Sequence, residues 1–512
     1  MLGRIQDRLR RVSLCVTLTG IVALPLLFVS CNQPADESPR LVVVYTTCSL
    51  NKDYIAPYSA DAIYTPNLKR FAEKSRVFAR HHTEAGESGI AFASIYTGGD
   101  VRTHEVYHHP SRIPNEIEML SESLHAAGYD THFWDAHEMS SKRFNYGQGV
   151  DFEQVYQGLL RDKSAPFVRI LERLAQDPTY KVAIIHNNAI PHWPYANPDM
   201  VAGFGKHYPE HTRDVDWKRA SKMHLLFQEQ MLELQYNYPE TIEKLGLSGD
   251  DADQLAAYLE AAYKTQINIL DGIFGGVMDA IREAGLEDDS LVAFTSDHGE
   301  LMYRENAPFK WTHSFQLSHE VMNVPLIIRS GRLGIPSKPY DAVTRSIDLA
   351  PTLTGLLGLE FEDRPDSVDL SRAVLGKEPE PALKAWFHTS FAPEVWSEEE
   401  TEQWKDITLA NSLFPGYKPE TIWVGLRDGD TLFKHRTLDG TNYVCEAYDL
   451  AADPWEQNDL FDPELPAHAE ARTMLGEYKA GLVEAFAAHV VENDPELDEK
   501  RLEALKSLGY VQ

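Results

Sequence analysis

The chain has 512 residues, 43% of them hydrophobic and 25% charged, a globular balance in a length that exceeds one ordinary core. One large domain with a smaller companion is expected. The formal net charge of −30 excludes nucleic acid as a natural partner and predicts poor adhesion to anionic surfaces. An anionic substrate needs a local positive centre, such as a metal ion, to enter that field.

The N-terminus reads as a targeting segment. Arg4, Arg8, Arg10 and Arg11 precede an apolar run from Val12 to Val29 that closes on Ser30-Cys31. The run is long enough to serve as an uncleaved membrane anchor. Its V-S-C ending, followed by the polar stretch Asn32 to Arg40, resembles a bacterial lipoprotein cleavage site instead. On that reading residues 1–31 are a lipoprotein signal peptide, Cys31 carries a lipid anchor, and residues 32–40 are a polar tether. The mature protein is then expected in the cell envelope, lipid-anchored and extracytoplasmic, with Asn32 favouring the outer membrane. Cys48 and Cys445 remain in the mature chain, so no disulfide framework is implied, although one bridge between them is open.

Leu41 to Tyr45 is a β-branched run that predicts a buried strand opening the first domain. After Cys48 and Asp53, Thr65-Pro66-Asn67-Leu68 starts a helix with Leu68 and Phe71 on one face. Glu84 to Gly98 (E-A-G-E-S-G-I-A-F-A-S-I-Y-T-G) holds a second helix, with Ser88 near its start. Leu120 to Tyr129 predicts an amphipathic helix ended by Gly128, and Thr131 to Trp134 the following strand. Val182 to Ile185 is another buried strand, followed by Pro191-His192-Trp193-Pro194-Tyr195. Residues from about Met200 to Leu255 are polar, aromatic and acidic and read as an insertion near the site mouth. A helix is predicted over Tyr263 to Ala284, with Ile267, Leu270, Phe274, Val277 and Ile281 as its core face.

The chain then reaches Leu291-Val292-Ala293-Phe294, a buried-strand pattern that stops at Ser296-Asp297-His298-Gly299-Glu300. Carboxylate and imidazole side by side at the end of a buried strand form a common ligand pair for a divalent cation. A loop from Met302 to Asn323 carries Lys310 and His313. Val324 to Arg329 is a strand, and Ser346 to Leu353 closes the first domain. Beyond Gly358 the composition shifts to Pro, Glu and Asp, as in a linker to a smaller domain over 359–512. There Trp423 to Leu426 and Thr431 to His435 predict a hairpin around Asp428-Gly429, and a terminal helix ends in Leu505 to Tyr510.

Taken in order, these landmarks resemble the sulfatase branch of the alkaline phosphatase superfamily. The resemblance rests on S-D-H-G-E, on T-P-N-L at Thr65, on S-I-Y-T-G at Ser94, on V-P-L-I-I at Val324 and on S-I-D-L-A-P-T-L at Ser346. It implies an α/β fold: a central mixed sheet flanked by helices over about 41–358, and a smaller C-terminal α+β subdomain. It also implies Asp297 and His298 as metal ligands, His192 as general acid or substrate ligand, and His313, with Lys310 second, against the substrate's leaving oxygen or anionic group. Counting back from Gly98 places Ser88 at the nucleophile position. Cys48 falls where the family has its first metal-binding Asp; a thiolate suits zinc and suits calcium or magnesium badly. Equally, Cys48 reads as a small buried hydrophobe. Ile90 and Phe92 replace the Pro and Arg that direct oxidation of the family nucleophile to formylglycine, so an unmodified Ser88 is expected.

The expected activity is metal-dependent hydrolysis of sulfate or phosphate esters, with one divalent ion among calcium, magnesium, manganese and zinc. The substrate is then a small anionic ester or a sulfated or phosphorylated glycan. Cys48, Ile90 and Phe92 keep a second reading open, a catalytically degenerate lipoprotein that binds an anionic glycan or envelope component. A phosphoryl head-group transferase is a third.

Overall fold

The structure is a computed structural model that describes residues 38–107, 112–155, 160–305, 307, 309–313, 316–389, 422–437 and 442–488. The signal segment, Cys31, positions 32–37 of the tether and the Leu505 to Tyr510 helix lie outside the described residues.

A strand covered on both faces has no polar side. Leu41–Cys48 (β1) meets that condition: every residue is buried, with Leu41, Val43 and Tyr45 in one core layer and Val42 and Val44 in the other. Around it are Arg76–His82 (β2), Asp130–Asp135 (β3), Phe152–Val155 (β4), Val182–Pro191 (β5), Ser290–Ser296 (β6), Asn323–Val324 (β7), Leu326–Arg329 (β8) and Pro339–Arg345 (β9). They form one sheet in the order β4-β3-β5-β1-β6-β8-β2-β7, with β9 beside β2. β3, β5, β1 and β6 run parallel, while β8 is antiparallel to β6 and to β2, so the sheet is mixed.

Helices cover both faces. Pro66–Ala72 (α1) starts at the predicted place, yet Thr65 does not cap it with its side chain. Asp271 does so from a distance, accepting from the Leu68 amide at 2.7 Å, the Asn67 amide at 3.1 Å and Asn67 Nδ2 at 2.8 Å. Ser88–Thr97 (α2) is buried on every side. Gly249–Glu283 (α3) begins well before the predicted Tyr263, because Ser248 Oγ accepts from the Asp251 amide at 3.1 Å and forms a capping box. The insertion folds into short helices, Pro198–Gly205, Ala220–Glu229, Met231–Tyr236 and Tyr238–Lys244.

A second, antiparallel sheet consists of Lys384–His388 (β10), Val424–Asp428 (β11), Thr431–Thr437 (β12) and Tyr443–Asp449 (β13), in that order. The predicted hairpin is β11–β12, closed where Asp428 pairs with Thr431. Val424, Leu426, Phe433 and Ala447 pack under the C-terminal helix Pro466–Ala488 (α4), while Trp423, Leu432 and Tyr448 meet Leu301, Leu317 and Val321. Cys48 and Cys445 are both free, so the bridge left open by the sequence is not made. Among the described residues no helix is long and apolar enough to cross a membrane.

The Asp271 cap is testable. Burial pushes its carboxyl up from the ordinary 3.8 to about 6, against the pull of the amides it accepts. The native state thus holds an extra proton between those values, and the stability that Asp271 contributes declines as pH rises through that window. Asp271→Asn should remove that slope in thermal unfolding. Asp271→Ala leaves the Asn67 and Leu68 amides without their acceptor and should cost about 2 kcal/mol. An alanine variant as stable as wild type would contradict the assignment.

Candidate active site beyond three parallel strands

β5, β1 and β6 are neighbours in the sheet, and their C-terminal ends deliver the chemistry. β1 ends in Cys48, β6 leads into Asp297 and His298, and β5 leads into His192. All four residues are buried.

Asp297 is fixed by the backbone. Its Oδ1 accepts from the Ser49 amide at 3.0 Å and from the His298 amide at 2.6 Å, and its own amide donates to Thr47 O at 3.0 Å. Oδ2 is buried, has no hydrogen-bond partner and faces His298 Nε2 at 3.5 Å. A carboxylate oxygen held in that state is costly unless a cation takes it.

His298 Nδ1 donates to Gly299 O at 2.9 Å, which leaves Nε2 as the acceptor. Ser88 Oγ lies 3.1 Å from that Nε2 and donates to it. Ser88 is the first residue of α2, whose opening N–H groups and positive dipole end favour an anion. The Tyr146 hydroxyl pins this turn by donating to Gly89 O at 2.6 Å.

Cys48 Sγ stands 3.5 Å from both Ser88 Oγ and Ser49 Oγ. Burial, with Asp297 nearby, pushes its thiol well above the usual range. Cys48 is therefore both a buried small residue and a member of the cluster. One ligand atom each from Cys48, Asp297 and His298 lie within 4.8 Å of one another. That spacing and the orphaned Oδ2 fit a single divalent cation.

The histidines extend the site. The His298 and His313 rings stack at 4.3 Å, and His192 lies 5.3 Å from His313. Burial pushes His192 down to about 3 and His313 well below its ordinary value, so both rings are neutral. His192 Nδ1 donates to Trp193 O at 2.5 Å. That bond commits the Nδ1–H of His192 to a carbonyl. Lys310 is not brought into the cluster. Its ammonium is engaged by the carbonyls of Arg304, Glu305 and Ala307, with the Tyr303 ring 5.2 Å away, so it braces the loop.

Sequence reasoning missed three contributors. Glu300 sits 3.4 Å from His313 Nδ1, with its carboxyl raised to about 8 by burial. His137 places its ring 6.4 Å from His192, and no motif marks it. Ser49 holds Asp297 through a backbone amide, which leaves no side-chain signal to read. Ile90 and Phe92 are fully buried in the core, with Phe92 against Tyr96 and His137, so neither offers a polar group to the site.

Two glycines permit the close approach. A Cβ on Gly299 would stand 2.0 Å from Glu320 O, and one on Gly86 would stand 2.3 Å from His313 O. Backbone cannot yield cheaply there, so Gly299→Ala should lower stability by about 3 kcal/mol. Urea unfolding checks this, and a neutral substitution would contradict the packing described.

The comparisons with known proteins agree with the fold. The sulfatase family model matches residues 40–359. The ulvan-active sulfatase of Formosa agariphila is 23% identical, over 88% of this chain and 84% of its own length. The N-acetylglucosamine-6-O-sulfatase of Bacteroides thetaiotaomicron is 22% identical, over 93% of this chain and 91% of its own. In fold, a solved structure in complex with D-glucosamine-2-N,6-O-disulfate has a TM-score of 0.61 at 18% identity, covering 90% of this chain and 100% of that one. A model spanning well over half the chain, with the mixed sheet and the site at its parallel strand ends, settles the family: the chain is a member of the sulfatase family.

Proposed function

We propose that this protein hydrolyses sulfate or phosphate esters outside the cytoplasm, with the unmodified hydroxyl of Ser88 as nucleophile. The observation that carries the proposal is the Ser88 Oγ–His298 Nε2 contact of 3.1 Å at the start of a buried helix. An anionic ester meets the α2 N-terminus, where the developing charge is stabilised by helix amides. Ser88 Oγ attacks sulfur or phosphorus as the ester's S–O or P–O bond to the alcohol breaks, and the Ser88 proton, which faces His298 Nε2 in the unloaded site, leaves on the departing alcohol oxygen. Cys48, Asp297 and His298 are the residues that would hold a divalent cation. Such a cation, when bound, neutralises the ester's charge and lowers the pKa of the serine hydroxyl. His192 Nε2 accepts the proton of the water that releases the product, and His313, faced by Glu300, orients the ester oxygens.

The names of the two curated relatives support a sulfated glycan as the substrate class. The lipoprotein-like V-S-C at Cys31 supports an envelope location with a lipid anchor. Absence of formylglycine is supported by Ile90 and Phe92, which are core residues in place of the directing Pro and Arg. One observation favours the degenerate binding reading instead: Cys48 stands in for a carboxylate, and its thiol is hard to ionise in this environment.

Turnover of aryl sulfate and aryl phosphate decides between these readings. Wild type should hydrolyse at least one, Ser88→Ala should lose about a thousandfold or more in kcat, and the peptide containing Ser88 should show the mass of plain serine. Full turnover in Ser88→Ala would remove the nucleophile, and no turnover in wild type would leave the binding reading.

A further inference from the structure

A second cavity, of about 390 Å³, lies between the loop after Glu300 and the C-terminal sheet. It falls in the size range of small-molecule sites. Leu301, Gln316 and Ser318 line one side; Trp423, Tyr448 and Trp455 line the other. None of the residues of the Ser88 cluster is among its walls.

Two features set its chemistry. The first is a set of hydrogen-bond donors without acceptors. Gln316 Nε2, Ser318 Oγ, Trp423 Nε1 and Arg304 Nε are buried and unpartnered, and all four residues line the cavity. Gln316 and Ser318 are each 8% exposed and Trp423 is 3% exposed, so water does not compensate them. A ligand oxygen accepting from Gln316 or Ser318 would satisfy a donor that the fold leaves bare. The ligand is therefore rich in acceptor oxygens.

The second feature is charge balance beside aromatic surface. Arg304 is matched by Glu320 at 2.8 Å, Arg436 by Glu446 at 2.8 Å, and Lys434 by Glu456. With every cation met by a carboxylate, the walls offer little to a sulfate or a uronate. Trp455 is 43% exposed although the Arg304 guanidinium lies over its ring at 4.1 Å, so the uncovered part of the indole is the apolar surface left for a ligand. Acceptor hydroxyls around an apolar ring face describe a sugar.

We propose that this cavity is a carbohydrate-binding site for an uncharged pyranose unit, distinct from the Ser88 cluster. The loop that carries His313 into the cluster also carries Gln316 and Ser318 into the cavity wall. A glycan held here is anchored beside the reaction centre without taking part in it. The site goes beyond the esterase reading and stands without it.

Tryptophan emission of the intact protein, titrated with neutral tetrasaccharides (N-acetylchitotetraose, galactotetraose, xylotetraose and mannotetraose) beside tetragalacturonate, tests the proposal. At least one neutral sugar should bind saturably and independently of salt. Trp455→Ala should weaken it at least about tenfold, and Gln316→Leu several-fold, with unchanged turnover of small aryl esters. Ser88→Ala should bind as wild type does, so sugar binding without ester turnover would sink the hydrolase reading alone. No saturable neutral binding, binding of tetragalacturonate alone, or an unaffected Trp455→Ala affinity would each overturn the site.

Discussion

Leu41 lies between Val182 on one neighbouring strand and Ser290 on the other, and the pairing runs without a slip to Thr47, between Asn188 and Ser296. That shared register is the constraint from which the site follows. It brings Cys48 and Asp297 out together, and a register shift just beyond Thr47, where Cys48 pairs with Pro191, carries His192 to the same end of the sheet. Because side chains alternate between faces, a slip of one residue would exchange the two core layers of β1, and the mismatch of side-chain volumes, Tyr45 above all, opposes it. The Asp297 carboxylate then needs no side-chain support, since backbone amides of both β1 and β6 extensions hold it.

The loop from Leu301 to Met322 is positioned by parts of the chain far away in sequence. The insertion grips it from one side: Phe227 and Tyr238 pack their rings on Trp311 at 5.6 and 5.7 Å, and the Lys310 amide donates to Gln235 O at 3.1 Å. The C-terminal sheet grips it from the other, where Glu456 accepts from the His319 amide at 2.6 Å. The loop that carries His313 is thus held by two separate units of structure. The insertion, expected near the mouth, serves as a buttress for this loop.

Much of the frame was legible in the sequence because buried parallel strands have an unmistakable apolar signature. Leu41 to Tyr45, Val182 to Ile185 and Leu291 to Phe294 all lie in the central sheet. The start of α3 was not legible, since Ser248 capping competes with an apolar face that begins later. Site positions followed from local motifs where the motif itself carried the chemistry, as at Asp297-His298. Contacts were not legible where the partner is a backbone group or a distant loop: the Trp193 carbonyl that takes the His192 N–H, the loop carbonyls that take Lys310, and the Glu300–His313 contact. The cavity at Trp455 left no pattern in the sequence, because its walls come from the loop after Glu300, from Trp423, from β12 and β13 and from the turn after β13, joined only by folding.

On the proposed reading, Cys48, Asp297 and His298 hold a cation next to the Ser88 hydroxyl. Metal content of the purified protein, by mass spectrometry, beside an Asp297→Ala variant, tests it most directly. Wild type should hold one divalent ion tightly per chain and the variant none, with zinc implicating the Cys48 thiolate as a ligand. Wild type that holds no ion after incubation with calcium, magnesium, manganese and zinc would contradict that reading.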